Sequence, residues 1–550
     1  MERRSARQQC RMLCIQGTGS GKSLLYQTLA AHFVGVTIYV SPLLTLGADQ
    51  VNKLMQRTSV PGYKVIPLQL DAVKTAEQLK HLLALVEGLQ DSISLVVFTS
   101  PQTVTDRFPK FIESVKSKVS FVVIDEIHLF NYFGRTFRHE FQKLKTKMFR
   151  KLSATVPMLF LTASCNPRIR RSFETMIGVD ITHSEWPSAL EISNRRVSLY
   201  CDYSQKPLRR VMNDISGVLK VGDRQSDKVI VYSNVRNRVI DVQEKLGDLF
   251  DRDDNLHKFE VLAIHGQLTK EEKSSYIQMF LDPQHPDDAN IKVMCATSGV
   301  GNVGIDSPNI RSVFRLEMPP SLIDFVQESG RAGRVQTPDP LNFSYHVHFS
   351  IENFLYLYER AMDPEAIRID NEFCSEEVDS LFEMARLLVL REECFYVAIE
   401  TRFGNPDVQA LGGGLDPCDN LCPYCRDKEK RVIPIIDRVG TQRVIFHIFN
   451  PLPTNANVNT LQKPWTLEVL VNSIRSFPDA TMLILKSRVK GGISPDTIKR
   501  VIFCLLLKGM LKLNFNKDEN RAVFSLAHSN SALGEFALME PQYWTGVELK

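Results

Sequence analysis

The sequence predicts an α/β protein: two successive domains built on parallel sheets, then a helical segment with a cysteine cluster, then a helix followed by a β-hairpin. Three observations predict it. Short apolar runs alternate with helical patterns from residue 12 to about 180, and the alternation restarts after residue 225. A glycine-rich loop joins the first apolar run to the first helical pattern. Three cysteines crowd into eight residues after the second set of alternations.

The bulk properties set limits. A chain of 550 residues is too long for one core, and roughly three or four domains is the prior for that length. With 43% hydrophobic and 24% charged residues the composition is that of an ordinary globular protein. No segment approaches the ~20 apolar residues of a membrane span. No long apolar region follows the basic N-terminal residues, so no secretory signal is visible and an intracellular location, with the nucleus as first guess, is expected. The formal charge of +4 permits a nucleic-acid partner without arguing for one. The basic clusters Lys143 to Lys151 and Arg168 to Arg171 read, taken alone, as solvated faces. Eleven mostly scattered cysteines suggest a reducing compartment.

Met12-Leu13-Cys14-Ile15 reads as the first strand and Leu24 to Ala31 as the first helix. Between them stands Gly17-Thr18-Gly19-Ser20-Gly21-Lys22-Ser23. Glycines in that position let backbone N–H groups close around phosphate oxygens, and the helix N-terminus adds partial positive charge. Lys22 can reach the β- and γ-phosphates, and the Ser23 hydroxyl can bind magnesium. Gln16 stands where the general phosphate-loop pattern has its first glycine.

Thr37 to Val40, Leu95 to Phe98, Phe121 to Ile124 and Met158 to Leu161 are apolar throughout, as strands buried on both faces of a parallel sheet must be. Val229 to Tyr232, Phe259 to Ile264, Ile291 to Cys295 and Ser312 to Phe314 supply the second sheet. The join is expected near residues 180–200. Asp125-Glu126-Ile127-His128 follows a continuous apolar strand. That places it at a carboxyl end, where open α/β sheets bind ligands. Asp125 would hold magnesium through water and Glu126 would polarise the attacking water.

Helical patterning dominates 351–400, and Gly412 to Gly414 precede the cysteine cluster. Cys418, Cys422 and Cys425, with Cys394 upstream, offer four thiolates for a closed tetrahedral zinc site; Cys374 is the rival for the fourth place. In the tail, Ser494 caps a helix with Pro495 in its first turn. Ile498, Val501, Ile502, Leu505 and Leu506 form its buried stripe and Gly509 stops it. Leu511 to Phe515 and Ala522 to Leu526 then read as a hairpin.

The phosphate loop and the Asp-Glu-x-His tetrad together resemble superfamily two helicases, and residues 12 to about 430 resemble the RecQ branch. Leu24-Leu25-Tyr26-Gln27, Val40-Ser41-Pro42-Leu43, Asp49-Gln50-Val51 and Phe98-Thr99-Ser100-Pro101 are similar to that branch's motifs. Leu129 to Arg138 is similar to its aromatic-rich loop, where Phe133, Phe137 and Arg138 would stack on bases and pair with phosphates. Leu161 to Ser164, Tyr232-Ser233-Asn234, Ile264-His265-Gly266, Ala296-Thr297-Ser298 and Gly304-Ile305-Asp306 continue the likeness. Gln327-Glu328-Ser329-Gly330-Arg331-Ala332-Gly333-Arg334 resembles the final helicase signature. Its arginines would project across the cleft between domains onto the γ-phosphate, so that hydrolysis requires closure.

The resemblance implies two tandem RecA-like domains (1–190 and 191–350), a four-cysteine zinc module (351–430) and a winged-helix-like domain (431–550). It implies an ATP- and magnesium-dependent enzyme that moves 3′ to 5′ on single-stranded DNA and duplex junctions. Catalytic roles would fall to Lys22, Asp125, Glu126, His128, Gln327, Arg331 and Arg334. Nucleotide contacts would come from Gly17 to Ser23 and Asp306, and strand contacts from Ser41, Pro42, Thr99, Ser100, Phe133, Phe137, Arg138, Asn234 and His265. A nucleic-acid-stimulated translocase, acting on RNA or without separating strands, and a catalytically weak DNA-binding remnant are the alternatives. The sequence departs from the family at Ile127 and Phe133, and by one extra residue between Ala296 and Asp306. Only residues 1–11 precede the first strand, and Gln8 and Gln9 lie too close to it to read adenine as the family's upstream motif does; an incomplete version, or nucleotide binding without base reading, is expected.

Overall fold

The computed structural model describes residues 10–16, 21–41, 51, 54, 64–90, 93–128, 134–152, 155–163, 165–185, 195–204, 207–221, 227–281, 290–298, 305, 307–334, 343–363, 365, 371–403, 417–427, 465–476, 494–518 and 520–526. Gly17 to Ser20, Pro42, Phe133 and Asp306 lie outside them.

Among the described residues seven strands make the first sheet: β1 (Arg11–Ile15), β2 (Gly35–Val40), β3 (Lys64–Gln69), β4 (Ile93–Thr99), β5 (Val119–Ile124), β6 (Met158–Thr162) and β7 (His183–Glu185). Their order is β3-β4-β2-β5-β6-β1-β7, and each pairing is parallel. The helices are α1 (Lys22–His32), α2 (Ala76–Glu87), α3 (Phe111–Val115), α4 (Gly134–Lys147) and α5 (Pro167–Ile177). Alternate residues of the same strands feed opposite faces. Leu13, Ile38, Val122 and Phe160 pack on one side, and Cys14, Tyr39, Val123 and Leu161 on the other. Burial on both faces is why these strands read as unbroken apolar runs. β3 contains Pro67, which an edge strand tolerates because one side of it makes no ladder.

The second sheet has the order β10-β11-β9-β12-β13-β8, again parallel. Its strands are β8 (Val197–Tyr203), β9 (Lys228–Ser233), β10 (Glu260–Ile264), β11 (Ile291–Thr297), β12 (Ile310–Arg315) and β13 (Phe343–Phe349). Its helices are α6 (Leu208–Val221), α7 (Arg236–Asp251), α8 (Lys270–Leu281) and α9 (Leu322–Ser329). The expected join at 180–200 overlaps both β7 and β8; the first sheet ends at Glu185 and the second begins at Val197. Ile323 of α9 packs against the cores of both domains, so this short helix is a point of contact between them.

Beyond the second sheet come α10 (Ile351–Ala361), α11 (Asn371–Leu390), α12 (Phe395–Phe403), α13 (Pro423–Arg426), α14 (Leu467–Ser476) and α15 (Pro495–Leu507). The antiparallel hairpin β14 (Leu511–Asn516) and β15 (Arg521–Leu526) follows. Ser494 caps α15 by accepting from the Thr497 N–H at 3.2 Å, and Gly509 ends it at φ +73°, a conformation a side chain would strain. The buried surface of α15 is wider than a stripe: Val501 through Leu507 are all buried. This helix is a core element, packed with α11, α14 and the second sheet's lower face in one continuous cluster.

The cysteine segment closes the open edge of the second sheet. β8 pairs with β13 on one side. On the other, Leu199 N–H donates to the Leu421 carbonyl at 2.7 Å and Arg426 donates to the Leu199 carbonyl at 3.2 Å. Arg391 and the Tyr396 hydroxyl bond the carbonyls of Cys201 and Val197. An edge strand whose polar backbone is satisfied in this way cannot template pairing with another chain. Among the described residues no helix is long and apolar enough to cross a membrane.

Candidate nucleotide site and cysteine centre

Gly21 stands at the N-terminus of α1 with φ +97°, a left-handed conformation that glycine adopts without strain. It turns the chain so that Lys22 opens the helix. The Lys22 ammonium donates to the Gln16 carbonyl at 2.8 Å, which ties the start of α1 to the end of β1. Ser23 follows, half-buried.

β5 runs parallel to β2 and delivers Asp125 at its end, where Asp125 N–H bonds the Val40 carbonyl at 2.9 Å. Both carboxylate oxygens are engaged. Oδ1 accepts from the Glu126 N–H at 2.8 Å, and Oδ2 accepts from the Tyr39 hydroxyl. Burial, then the neighbouring Glu126, raises the Asp125 carboxyl to about 7, while Tyr39 and Lys22 oppose the shift. Burial likewise pushes the Tyr39 hydroxyl well above its ordinary range, so it stays a donor. Glu126 adopts φ +52°, a left-handed backbone that is rare for a side chain of this kind and that concentrates at functional sites. Its Oε2 is buried without a hydrogen-bond partner, 3.4 Å from His128 Nδ1.

His128 is 1% exposed and lowered to about 3, first by burial and then by Lys22; it is neutral. Its Nδ1 lies 2.8 Å from the Thr162 hydroxyl at the end of β6. Its Nε2 meets the side-chain amide nitrogen of Gln327, from α9 of the second domain. The amide N–H donates, so Nε2 accepts and the ring proton sits on Nδ1, facing Thr162. Residues 125–128, Thr162 and Gln327, far apart in sequence, therefore meet in one site spanning both domains.

The arginines of the same signature meet the second domain's own backbone. Arg331 and Arg334 both donate to the Ile305 carbonyl, at 2.7 and 3.2 Å, within the second domain. Gln327 of the signature touches His128 of the first domain's tetrad.

The strand-contact candidates separate into groups. Ser41, Thr99 and Ser100 are buried at the carboxyl ends of β2 and β4. The Ser100 hydroxyl and N–H are held by Asp71 at 2.7 and 3.0 Å. Asn234 donates to the Met318 carbonyl at 3.1 Å and accepts from Arg315. His265, after β10, is half-buried and its Nδ1 has no hydrogen-bond partner. Phe137 and Arg138 lie in α4; their side chains are outside the described residues.

Cys394, Cys418, Cys422 and Cys425 place their sulfur atoms within 4.8 Å of one another. Cys394 is thus the fourth member and Cys374, although buried, is not in the group. Four thiolates ~2.3 Å from one zinc ion stand ~3.8 Å apart, and Cys422 and Cys394 are 3.8 Å apart. Backbone N–H groups of Cys418 and Cys425 point at the sulfurs of Cys394 and Cys422 at 3.4 and 3.5 Å, the outer-shell pattern that stabilises bound thiolates. Burial raises the Cys425 thiol to about 12. A cation is what would let the set ionise together, so the donors fit zinc.

The comparisons with known proteins agree with this geometry. The DEAD/DEAH box helicase model matches residues 4–171, and the helicase conserved C-terminal domain model matches residues 211–336. The ATP-dependent DNA helicase RecQ of Pasteurella multocida is 25% identical over 438 residues, covering 79% of this chain and 61% of that protein. The chain carries both helicase domains and is similar to RecQ helicases over most of its length. The RecQ-like DNA helicase BLM of Xenopus laevis is 30% identical over 335 residues, 60% of this chain and 22% of that protein. The chain spans about three fifths of the bacterial RecQ proteins it matches. Among solved structures, the DEAD-box helicase Mss116 bound to ssRNA and UDP-BeF is similar at TM-score 0.50 and 17% identity, covering 70% of this chain and 80% of that one. That likeness shows the paired parallel-sheet fold.

Two residues escaped the sequence reading: Tyr39, a hydroxyl inside an apolar strand and bonded to Asp125, and Arg315, a cation that closes β12 away from the tetrad. The signal for each was a polar group at the carboxyl end of an apolar run beside a motif.

Proposed function

We propose that this chain is an ATP-driven DNA helicase of RecQ type that moves 3′ to 5′ on single-stranded DNA. The observation that carries the reading is the hydrogen bond from Gln327 to His128, because it joins the second domain to the hydrolytic tetrad of the first. Lys22 leaves the Gln16 carbonyl to neutralise the β- and γ-phosphates. Magnesium, held by Ser23 and through water by Asp125, would supply charge neutralisation at the phosphates. Glu126, with one oxygen buried and unpaired, orients the attacking water. Arg331 and Arg334 exchange the Ile305 carbonyl for the γ-phosphate when the domains close, so hydrolysis reports on closure and closure advances the strand. The Asp125 carboxyl needs a cation to ionise fully in this buried place. Strand affinity comes mainly from phosphate contacts and falls with salt. Cys394, Cys418, Cys422 and Cys425 would hold zinc, which would fix the module against β8.

The test is ATPase activity with and without single-stranded DNA, together with unwinding of a tailed duplex. Lys22→Ala and Glu126→Gln should each lower both activities at least ~100-fold. Unchanged rates in either variant refute the motor; a wild-type protein that binds single-stranded DNA but shows neither activity leaves a DNA-binding remnant.

A further inference from the structure

Arg315 closes β12 and is completely buried, among the largest fully buried side chains of the described residues. Its guanidinium is shared among four segments. Nη1 donates to the Ser298 hydroxyl and to Glu328 Oε1, both at 2.6 Å. Nη2 donates to the Asn234 side-chain oxygen, and Nε donates to the Glu317 carbonyl at 3.2 Å. Glu328 is itself fully buried and accepts at its other oxygen from the Tyr345 hydroxyl at 2.7 Å. The second carboxylate, Glu317, holds the Ser233 hydroxyl at 2.8 Å and the Asn234 N–H at 3.0 Å.

A buried ion pair is a poor device for stability, since burying both charges offsets most of their attraction. It is a good device for fixing geometry, because a planar guanidinium with several acceptors tolerates little displacement. The segments it fixes are the ends of β9, β11 and β12 and the helix α9. Asn234 is a strand-contact candidate. Glu328 is the immediate neighbour of Gln327, which touches His128.

We propose that Arg315 is a positioning residue that couples the strand-contacting end of the second domain to the hydrolytic tetrad of the first. A displacement of Asn234 on binding nucleic acid is passed through Arg315 to Glu328, which turns α9 and with it Gln327 and the two signature arginines. This rests on the helicase reading and names the residue through which the strand controls that same site.

The experiment uses the full chain and measures basal ATPase, ATPase saturated with single-stranded DNA, DNA affinity and melting temperature. Arg315→Lys keeps the charge facing Glu328 and loses the planar fork. The ratio of stimulated to basal ATPase is expected to fall about tenfold, with basal rate and DNA affinity each within about twofold of wild type. Glu328→Gln should lower the same ratio, and the double variant should be no worse than the more affected single variant. If Arg315→Lys does not fold, Tyr345→Phe removes one hydroxyl and no ring, and is expected to lower the ratio about threefold. A ratio that stays at the wild-type value, or basal and stimulated rates that fall in equal proportion, makes Arg315 a structural residue and overturns the proposal. A wild-type protein whose ATPase is not stimulated by DNA removes the helicase reading, and the coupling with it.

Discussion

Gln327 donates its side-chain amide to His128 Nε2, and through this one hydrogen bond the second domain sets the tautomer of a buried histidine in the first. With the ring proton then on Nδ1, His128 presents a donor to Thr162 and to the Glu126 carboxylate 3.4 Å away. The Glu126 carboxylate is thus linked to the second domain through His128.

That arrangement predicts non-additivity. Gln327→Ala and His128→Ala should each lower the DNA-stimulated turnover rate by about 10- to 100-fold, since either change removes the same relay. The double variant should lie within about threefold of the slower single variant. Multiplicative losses in the steady-state ATPase cycle would show that the two residues act separately.

Tyr39 predicts a magnesium effect. Its hydroxyl holds Asp125 Oδ2 while the ring packs 4.6 Å from Tyr26 and 4.9 Å from Phe98. Tyr39→Phe keeps that packing and removes the donor. The magnesium concentration for half-maximal ATPase should rise about three- to tenfold, because a charge-assisted hydrogen bond to Asp125 is lost. The KM for ATP at saturating magnesium should stay within about twofold. Magnesium titration of the two proteins decides it, and identical half-saturation values would show the hydroxyl to be idle.

The cysteine centre predicts a link between metal and sheet. Metal analysis of wild-type protein should give one zinc per chain, with a loss in Cys418→Ser and none in Cys374→Ser, since Cys418 belongs to the cluster and Cys374 does not. The loss should also lower the melting temperature and promote aggregation, because Leu421 and Arg426 cap the β8 edge from the same cysteine segment. A Cys418→Ser protein that keeps its zinc refutes the assignment.

How much of this was legible in the sequence depends on burial. Strands buried on both faces, such as β5, show as unbroken apolar runs and carry Asp125 at a readable place. β8 alternates buried residues with half-buried or exposed ones, β13 does so over its first half, and their serines and histidines interrupt the apolar run. β3 hides behind Pro67, a residue that speaks against a central strand and is harmless at an edge. In the site, phosphate-loop spacing and the signature arginines follow from local pattern. The Tyr39–Asp125 and Arg315–Glu328 pairs do not, because each forms between strands or helices whose register only the folded chain reveals. The bonds of Arg331 and Arg334 to the Ile305 carbonyl are likewise a matter of conformation, which a motif does not encode.

Two histidines of β13 predict how stability responds to acid. His346 is stacked between Tyr200 and Phe314, at 4.6 Å from each, and burial lowers it to about 3. His348 is lowered to about 4, also mainly by burial. The groups that face them are His348, Arg210 and Arg426 for the first, and Asp202 and Arg210 for the second, with the Ser344 hydroxyl 3.0 Å from His346 Nε2. In the unfolded chain a histidine takes up its proton near pH ~6.5. Below that pH the unfolded state binds more protons than the folded one, so stability is full above ~6.5 and falls as pH drops towards the folded values. At pH ~5 the loss is about 2 kcal/mol per histidine. His346→Phe keeps the ring stack and removes the titration. Its urea-unfolding free energy should therefore fall less steeply than wild type between pH ~6.5 and ~5. The thiol cluster contributes its own acid sensitivity equally to both proteins, so the difference between the two slopes isolates His346. Parallel slopes would mean that the ring is protonated, and paired, in the folded state.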